Sequence, residues 1–396
     1  MRKIAATYVF TGTQPPIKNG IVTLDDKGTI LNISQQENLT EIQNLEFYSG
    51  ILVPGFVNAH CHLELSHLKG KIREKTGIGD FVGQINLLRN QENSDVGKAM
   101  QTADRLMWAA GIAATGDISN SLLSIDNKKK SRIFYHTFIE SFGFHPSRAE
   151  RAFDMAVFLE NEFSENGLAC SVVPHSPYSV SQPLFEKIKK HVSEKKSIVS
   201  IHNQESQSEA EFFETGTGGI ASHIAGNLGI DISHWKPTGK SSLVSVLEYL
   251  PKENSLLLVH NTFTTEADIE FLFENRAPGN TFFVLCPGSN LYIENALPPV
   301  SLFRKHNLNI CLGTDSLASN HQLSILEEMK ILQQNFAEIS LEELVKWGCL
   351  NGAKALGIEN TSGSFETGKT PGVNLVTGID FRNLKLTEKS KIKRLV

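Results

Sequence analysis

Two histidines one residue apart, His60 and His62, close the apolar run "ILVPGFVNA". In an extended strand alternate side chains share a face, so the HxH spacing aims both imidazoles into one space. Two such rings suit a borderline metal such as zinc. Taken alone, the pattern serves polar packing or an exposed turn equally well. Three further apolar runs also end on a residue able to ligate or titrate: "SIVSIH" at His202, "SLLLVH" at His260 and "LNICLGTD" at Asp315. A single histidine closing a core strand is ordinarily a hydrogen-bonded cap, and an aspartate after "LGT" can cap a helix. Four strand ends that each offer a donor are poorly explained by chance, and together they point to a metal centre.

Such a centre needs strands that all finish on one side. After Pro54, helical stretches such as "VGKAMQTADRLMWAAG" and "QPLFEKIKKHVSEK" alternate with short apolar runs, including "TFFVLCP". That rhythm, sustained over about 300 residues, predicts parallel βα units with reactive side chains at the C-terminal strand ends. The apolar runs lack polar alternation, as expected of strands covered on both faces. Before Pro54 the chain is strand-like, with turns at "PPIKNG" and "DDKG". "GSFETGKTPGVNLVTGIDF" returns to that texture near the C-terminus, so the two ends are expected to share a small β-domain. The expected division is 1–55 with 360–396 as that domain, and 56–359 as a catalytic barrel. The tail "LTEKSKIKRLV" suits a solvated edge strand.

The 396 residues include 43 acidic and 38 basic side chains, a net charge of −5, with no basic tract to neutralise phosphates. Nucleic acid is therefore not an expected partner, and the PCxxC signature of zinc-dependent nucleic-acid deaminases is missing. Five scattered cysteines (Cys61, Cys170, Cys286, Cys311, Cys349) without a CxxC read as buried thiols of a reducing cytosol. The start "MRKIAATYVF" has no long apolar core, and no run approaches the roughly 18 apolar residues of a membrane span. A cytoplasmic enzyme acting on a small molecule is expected, with no membrane partner and a homodimer as the commonest default.

The set "HCHLE", His202, His260 and Asp315, with "GFVNAH" and "LGTDS", resembles the amidohydrolase superfamily, in its mononuclear deaminase and chlorohydrolase branch. The resemblance implies an α/β fold, a distorted (β/α)8 TIM barrel flanked by a small composite β-sandwich. The halves of that sandwich would be "IVTLDDKGTILNI" and "GSFETGKTPGVNLV", the latter departing from the commoner "GKxADLV". It implies His60, His62, His202 and Asp315 as ligands of one divalent metal ion, zinc first, with iron and manganese compatible with the same donors. The ion would lower the pKa of bound water from near 16 to about 7, giving hydroxide at neutral pH. Many relatives hold two metals bridged by a carbamylated lysine from the fourth strand. The stretch matched to that strand, "RIFYHTFIESFG", has no lysine but does contain Glu140, a carboxylate able to bridge.

The resemblance also assigns catalytic roles. Glu205, three residues after His202 in "HNQE", maps onto the family's proton shuttle; it also fits the first turn of a helix. His260 would orient the attacking water, and Asp315 would both ligate the metal and take the water's proton. Substrate contacts are expected from His175 and Tyr178 in "VVPHSPYSVS", similar to the HxPY segment of adenosine and S-adenosylhomocysteine deaminases, or otherwise a rigid turn. Glu64 and Arg148 are placed toward polar groups of the substrate, with surface roles as the alternative. Ser316, Ser319 and Asn320 in "DSLASN" would line the mouth or cap a helix, and Ser289 and Asn290 in "CPGSN" would support the site. The insert between His202 and His260 should form short helices over the site, with Phe212, Phe213 and Trp235 as surfaces for a flat heterocycle or as lid packing.

The activity implied is deamination of an aminated purine-type heterocycle or nucleoside by metal-hydroxide attack, with release of ammonia. "NAHCHLELS" and "GTDSLASN" look closest to aminodeoxyfutalosine deaminases. The alternatives are hydrolysis of another C–N or C–Cl bond of a heterocycle, and a non-catalytic scaffold, a class that typically loses its metal ligands.

Overall fold

The computed structural model describes residues 1–36, 42–89 and 95–396. At the N-terminus β1 (Arg2–Val9), β2 (Ile17–Lys18), β3 (Gly20–Leu24), β4 (Ile30–Gln35) and β5 (Leu45–Pro54) follow one another. The turn into β3 uses Asn19 at φ 50°, a left-handed conformation that asparagine tolerates. β5 passes almost directly into the next strand through Gly55, where an added Cβ would lie 2.3 Å from the Pro371 carbonyl oxygen and 2.6 Å from the Ala113 Cβ. Only glycine fits that approach, which ties the end of β5 to the start of the HxH strand.

Eight parallel strands come next: β6 (Phe56–Cys61), β7 (Ile112–Ser119), β8 (Phe134–Ser141), β9 (Ala169–Pro174), β10 (Val199–Asn203), β11 (Leu256–His260), β12 (Thr281–Leu285) and β13 (Asn309–Leu312). They pair as two four-stranded sheets, β6 to β9 and β10 to β13. The sheets meet at both edges. At one seam the His202 N–H donates to the His175 carbonyl at 3.0 Å; at the other Thr314 and Asp315 donate to the His60 carbonyl at 3.0 and 3.1 Å. The result is an α/β fold, a distorted (β/α)8 barrel whose seams are joined by residues that themselves carry candidate ligands.

Both strand faces are covered, which explains the missing polar alternation. Along β11, Leu256 and Leu258 belong to one apolar cluster and Leu257 and Val259 to another; Phe283 and Leu285 divide from Phe282 and Val284 in the same way on β12. The helix Gln182–Lys195 buries Leu184, Phe185, Ile188 and Val192, the stripe its sequence spacing predicts. Between β10 and β11 the insert forms the short helical pieces Gln207–Thr215, Gly218–Ser222, His223–Asn227 and Ser242–Val246.

β14 (Val373–Thr377) and β15 (Lys391–Arg394) return to the N-terminal strands, giving the sheet order β15-β14-β5-β1-β3-β4, with β2 on β1. β15 is an edge strand. Ile4, Val22, Leu24, Leu52, Phe365 and Leu375 form the core of this region. No helix among the described residues is long and apolar enough to cross a membrane.

Candidate metal centre

At the C-terminal ends of the barrel strands, three imidazoles converge through the same ring atom. His62 Nε2 lies 3.1 Å from His60 Nε2 and 3.3 Å from His202 Nε2. Asp315 Oδ1 stands 3.5 Å from His62 Nε2 and 3.6 Å from His60 Nε2. Two nitrogen donors of one tetrahedral zinc ion sit about 3.3–3.4 Å apart, and the His60, His62 and His202 ligand atoms, all within 4.8 Å of one another, suit a single such cation, with Asp315 Oδ1 facing two of them.

Two of the donors, His202 and Asp315, are held from behind. His202 Nδ1–H donates to the His175 carbonyl at 2.8 Å, which leaves the Nε2 lone pair facing the cluster. Asp315 Oδ2 accepts from Ser289 Oγ at 2.6 Å and from Ser319 Oγ at 2.7 Å, turning Oδ1 toward the imidazoles. Asp315 has φ 54°, and the residue before it is fixed by Asn58, which accepts the Thr314 N–H at 3.0 Å and donates to Thr314 Oγ1 at 2.7 Å. Behind the two supporting loops, Glu328 accepts from the Gly288 N–H at 2.7 Å and from Asn320 Nδ2 at 2.8 Å.

Beside the cluster, His260 takes the Asn290 Nδ2–H on Nδ1 at 3.3 Å, which leaves its ring proton on Nε2. That atom faces Glu205 Oε1 at 3.5 Å. Both side chains are buried.

Burial sets the charge states. Desolvation, reinforced by neighbouring imidazoles, pushes His202 and His175 down to about 4 and carries His62 and His260 well below the ordinary histidine value. Neutral imidazole is the form that ligates. Burial would raise Asp315, but the His60 hydrogen bond and the facing rings of His62 and His260 outweigh it, and the carboxyl falls well below its usual range. Glu205 has no such partner: burial first, then the charges of Asp315, Glu209 and Glu294, raise it well above the usual carboxylate value. A dication in the cluster would oppose that rise.

His62, His202 and Asp315 of the cluster line a cavity of about 410 Å³, with His60 buried behind them. Glu64, Arg148, His175 and Tyr178 all line the cavity. Ser319 does not: it is fully buried and spends its hydroxyl on Asp315, so the expected substrate contact is corrected to a support of the acid. Phe212, Phe213 and Trp235 are also off the cavity wall. Phe212 and Trp235 stack on each other at 4.0 Å, and Phe213 meets Trp235 edge-on, so the aromatic surfaces expected for a heterocycle are lid packing.

"RIFYHTFIESFG" contains β8, which is the third barrel strand, not the fourth. The miscount comes from β7, "IAATGDIS", whose glycine, threonine and aspartate hide it among more apolar runs. The fourth strand, Ala169–Pro174, also lacks lysine. Glu140, His175 and His202 form a second group of three possible donors. His202 Nδ1 is already engaged with the His175 carbonyl, however, so the group keeps only two donors when His202 Nε2 serves the first cluster.

Among the polar residues of the cavity wall that sequence reasoning missed are Asn120 and Arg89. Asn120 donates to Glu140 Oε2 at 2.8 Å and accepts from Arg89, which stands 3.6 Å from Glu64. Asn120 follows the end of β7, so the strand-end rule would have found it had β7 been recognised. Arg89, just past the helix Gly77–Leu88, carries no comparable signal.

A ring of strand-end donors around one cavity at the open face of a (β/α)8 barrel defines the class as a barrel metallohydrolase. The chain belongs to the amidohydrolase family, whose model, described as "Amidohydrolase family", matches residues 51–393. It is 27% identical over 360 residues to an adenosine deaminase of Helicobacter pylori, covering 88% of this chain and 84% of that one. It is 26% identical to an aminodeoxyfutalosine deaminase of a Nitratiruptor species, covering 94% and 91%. Among solved structures, the aminofutalosine deaminase of Helicobacter pylori in complex with methylthio-coformycin aligns over 100% of both chains with a TM-score of 0.79 and 23% identity, a likeness of fold.

Proposed function

We propose that this chain is a cytoplasmic, metal-dependent aminohydrolase that takes water and an aminated purine-type heterocycle or nucleoside and releases ammonia. The observation that carries the reading is the approach of Glu205 Oε1 to His260 Nε2 at 3.5 Å, beside a cluster of candidate metal donors of which His62, His202 and Asp315 line one cavity. His60, His62, His202 and Asp315 would hold one divalent ion, and three imidazoles with a carboxylate suit zinc. Bound there, zinc supplies Lewis acidity, bringing the pKa of water from near 16 to about 7.

The protein's own groups do the rest. Glu205, whose burial favours the protonated carboxyl, would give its proton to the ring nitrogen beside the aminated carbon and later pass a proton to the departing amine. His260 Nε2–H donates to the incoming water oxygen and orients it. The charged Asp315 carboxylate accepts that water's proton. Glu64, His175 and Tyr178 would contact the substrate within the cavity, and Arg148 would meet a polar tail at its rim. The named activities of the two deaminase relatives support an adenine-type ring, and five free cysteines support a reducing compartment. We further assign 1–55 with 360–396 to a β-domain and 56–359 to the catalytic barrel, and take a homodimer as the working oligomer.

The test is ammonia release by zinc-loaded protein from adenosine, S-adenosylhomocysteine, aminodeoxyfutalosine and guanine. Glu205→Gln should keep about one metal per chain and lose about 10²–10⁴-fold in turnover, the range proton transfer supplies. A Glu205→Gln protein as active as the parent refutes the shuttle. A parent silent on the whole panel transfers the reading to another C–N or C–Cl bond.

A further inference from the structure

Immediately after β10 the backbone turns through Gln204 at φ 46°, a left-handed conformation unfavourable for a residue with a side chain, and Glu205 is the next residue. The turn is held by other parts of the fold. Gln204 Nε2 donates to Asp268 Oδ2 at 2.9 Å, its Oε1 accepts from Thr264 Oγ1 at 2.7 Å, and its carbonyl accepts the Phe263 N–H at 3.0 Å.

The remaining hold is Glu209. Its Oε1 accepts the Gln204 N–H and its Oε2 the Glu205 N–H, both at 3.0 Å, and the residue is fully buried. In sequence, Ser206 and Glu209 make the S-x-x-E capping box of the helix Gln207–Thr215, and Ser206 Oγ does accept the Glu209 N–H at 3.1 Å. In a capping box the glutamate reaches back to the N-cap amide. Here the carboxylate passes over Ser206 and takes the two amides before it, so it does more than close a helix end.

We propose that Glu209 is a positioning residue for Glu205: its carboxylate clamps two successive amides of the left-handed turn and so presents the Glu205 carboxyl 3.5 Å from His260 Nε2. The inference rests on the shuttle role given to Glu205 above. Glu209 lines neither the cavity nor the candidate ligand cluster, so it reaches the site through the turn it holds and through the charge it sets near Glu205, and only the first of these moves the Glu205 carboxyl.

Glu209→Gln separates this from a purely structural role. A carboxamide has the same size but one acceptor, and its NH2 confronts one of the two amide hydrogens. The experiment pairs crystal structures of the parent and variant with kinetics on whichever of adenosine, S-adenosylhomocysteine or aminodeoxyfutalosine the parent deaminates. Expected are a displaced Glu205 carboxyl, a Gln204 that leaves the left-handed region, and a kcat lower by about 10²-fold, the scale of a roughly 1 Å misplacement. KM and zinc content should not change. Should Glu209→Gln not fold, Glu209→Asp keeps the charge one methylene short and is read in the same way. A variant whose Glu205 stays 3.5 Å from His260 overturns the proposal whatever its rate. A parent inert to all three substrates removes the deaminase reading, while the coordinates still decide the clamp.

Discussion

The floor and the roof of the cavity are built on opposite principles. On the floor, three of the candidate functional side chains have a dedicated partner: the His175 carbonyl for His202, Ser289 and Ser319 for Asp315, Asn290 for His260. The roof consists of Ile78, Val82 and Ile85 from the helix Gly77–Leu88, facing Ile220, Ile224 and Ile230 from the insert, apolar side chains whose backbone is tied by Glu294 at Ile78 and by Ser208 at Ile220. The contrast follows from what each must do. Donors around a cation tolerate errors of a few tenths of an ångström, so hydrogen bonds set their directions. Apolar walls act through area and shape, and small shifts change them gradually.

The contrast can be broken most severely at the floor. His62→Ala removes one of the convergent donors, and the expected outcome is metal content well below one per chain with activity lost, checked by elemental analysis and ammonia release. Adding excess zinc back to chelator-treated parent, but not to the variant, should restore turnover. Removing the supports instead of the ligands should be milder. Ser289→Ala combined with Ser319→Ala leaves Asp315 in place but takes both donors from Oδ2. Hydrogen bonds to a charged group are worth about 1.5–3 kcal/mol, so metal affinity is expected to fall about 10–100-fold, in a competition titration with a chromophoric chelator. Second-contact groups of metal ligands typically have effects on that scale.

The roof should give the smallest response. The helix Gly77–Leu88 and the piece Gly218–Ser222 meet at two glycines, where a Cβ on Gly79 would lie 3.0 Å from the Gly219 carbonyl oxygen and 3.2 Å from its carbonyl carbon. Because backbone cannot swing aside, Gly79→Val must push the two pieces apart. KM should rise severalfold, with kcat and zinc content close to the parent's. A loss of metal in that variant would show that roof and floor are coupled, contrary to the division drawn here.

Much of the floor was legible in the chain and little of what supports it was. The four strand-end donors and the HxxE glutamate stand out because a doubly buried strand is an unbroken apolar run, against which one histidine or aspartate is conspicuous. The helix Gln182–Lys195 was equally plain from its apolar stripe. β7 was not, because its glycine, threonine and aspartate dilute the apolar signal, and the strand count slipped by one as a result. Ser319 lies in a stretch that reads equally as cavity mouth or helix cap; only the Asp315 carboxylate at 2.7 Å settles its direction. Arg89 lines the cavity because the end of its helix approaches the end of β7, distant in sequence, and spacing carries no trace of that.

The sequence by itself determined which donors exist, that each ends a strand, and, through the period of two, that His60 and His62 share a face. Tertiary structure alone decided which atom of each donor looks inward and how far apart those atoms stand. The reason is physical: ring orientation, tautomer and carboxylate direction are chosen by hydrogen bonds from residues 26 to 30 positions away, as with Ser289 on Asp315, His175 on His202 and Asn290 on His260. The serine and asparagine partners come into place when neighbouring strands of one sheet align, and the His175 partner only once the two sheets have closed on each other.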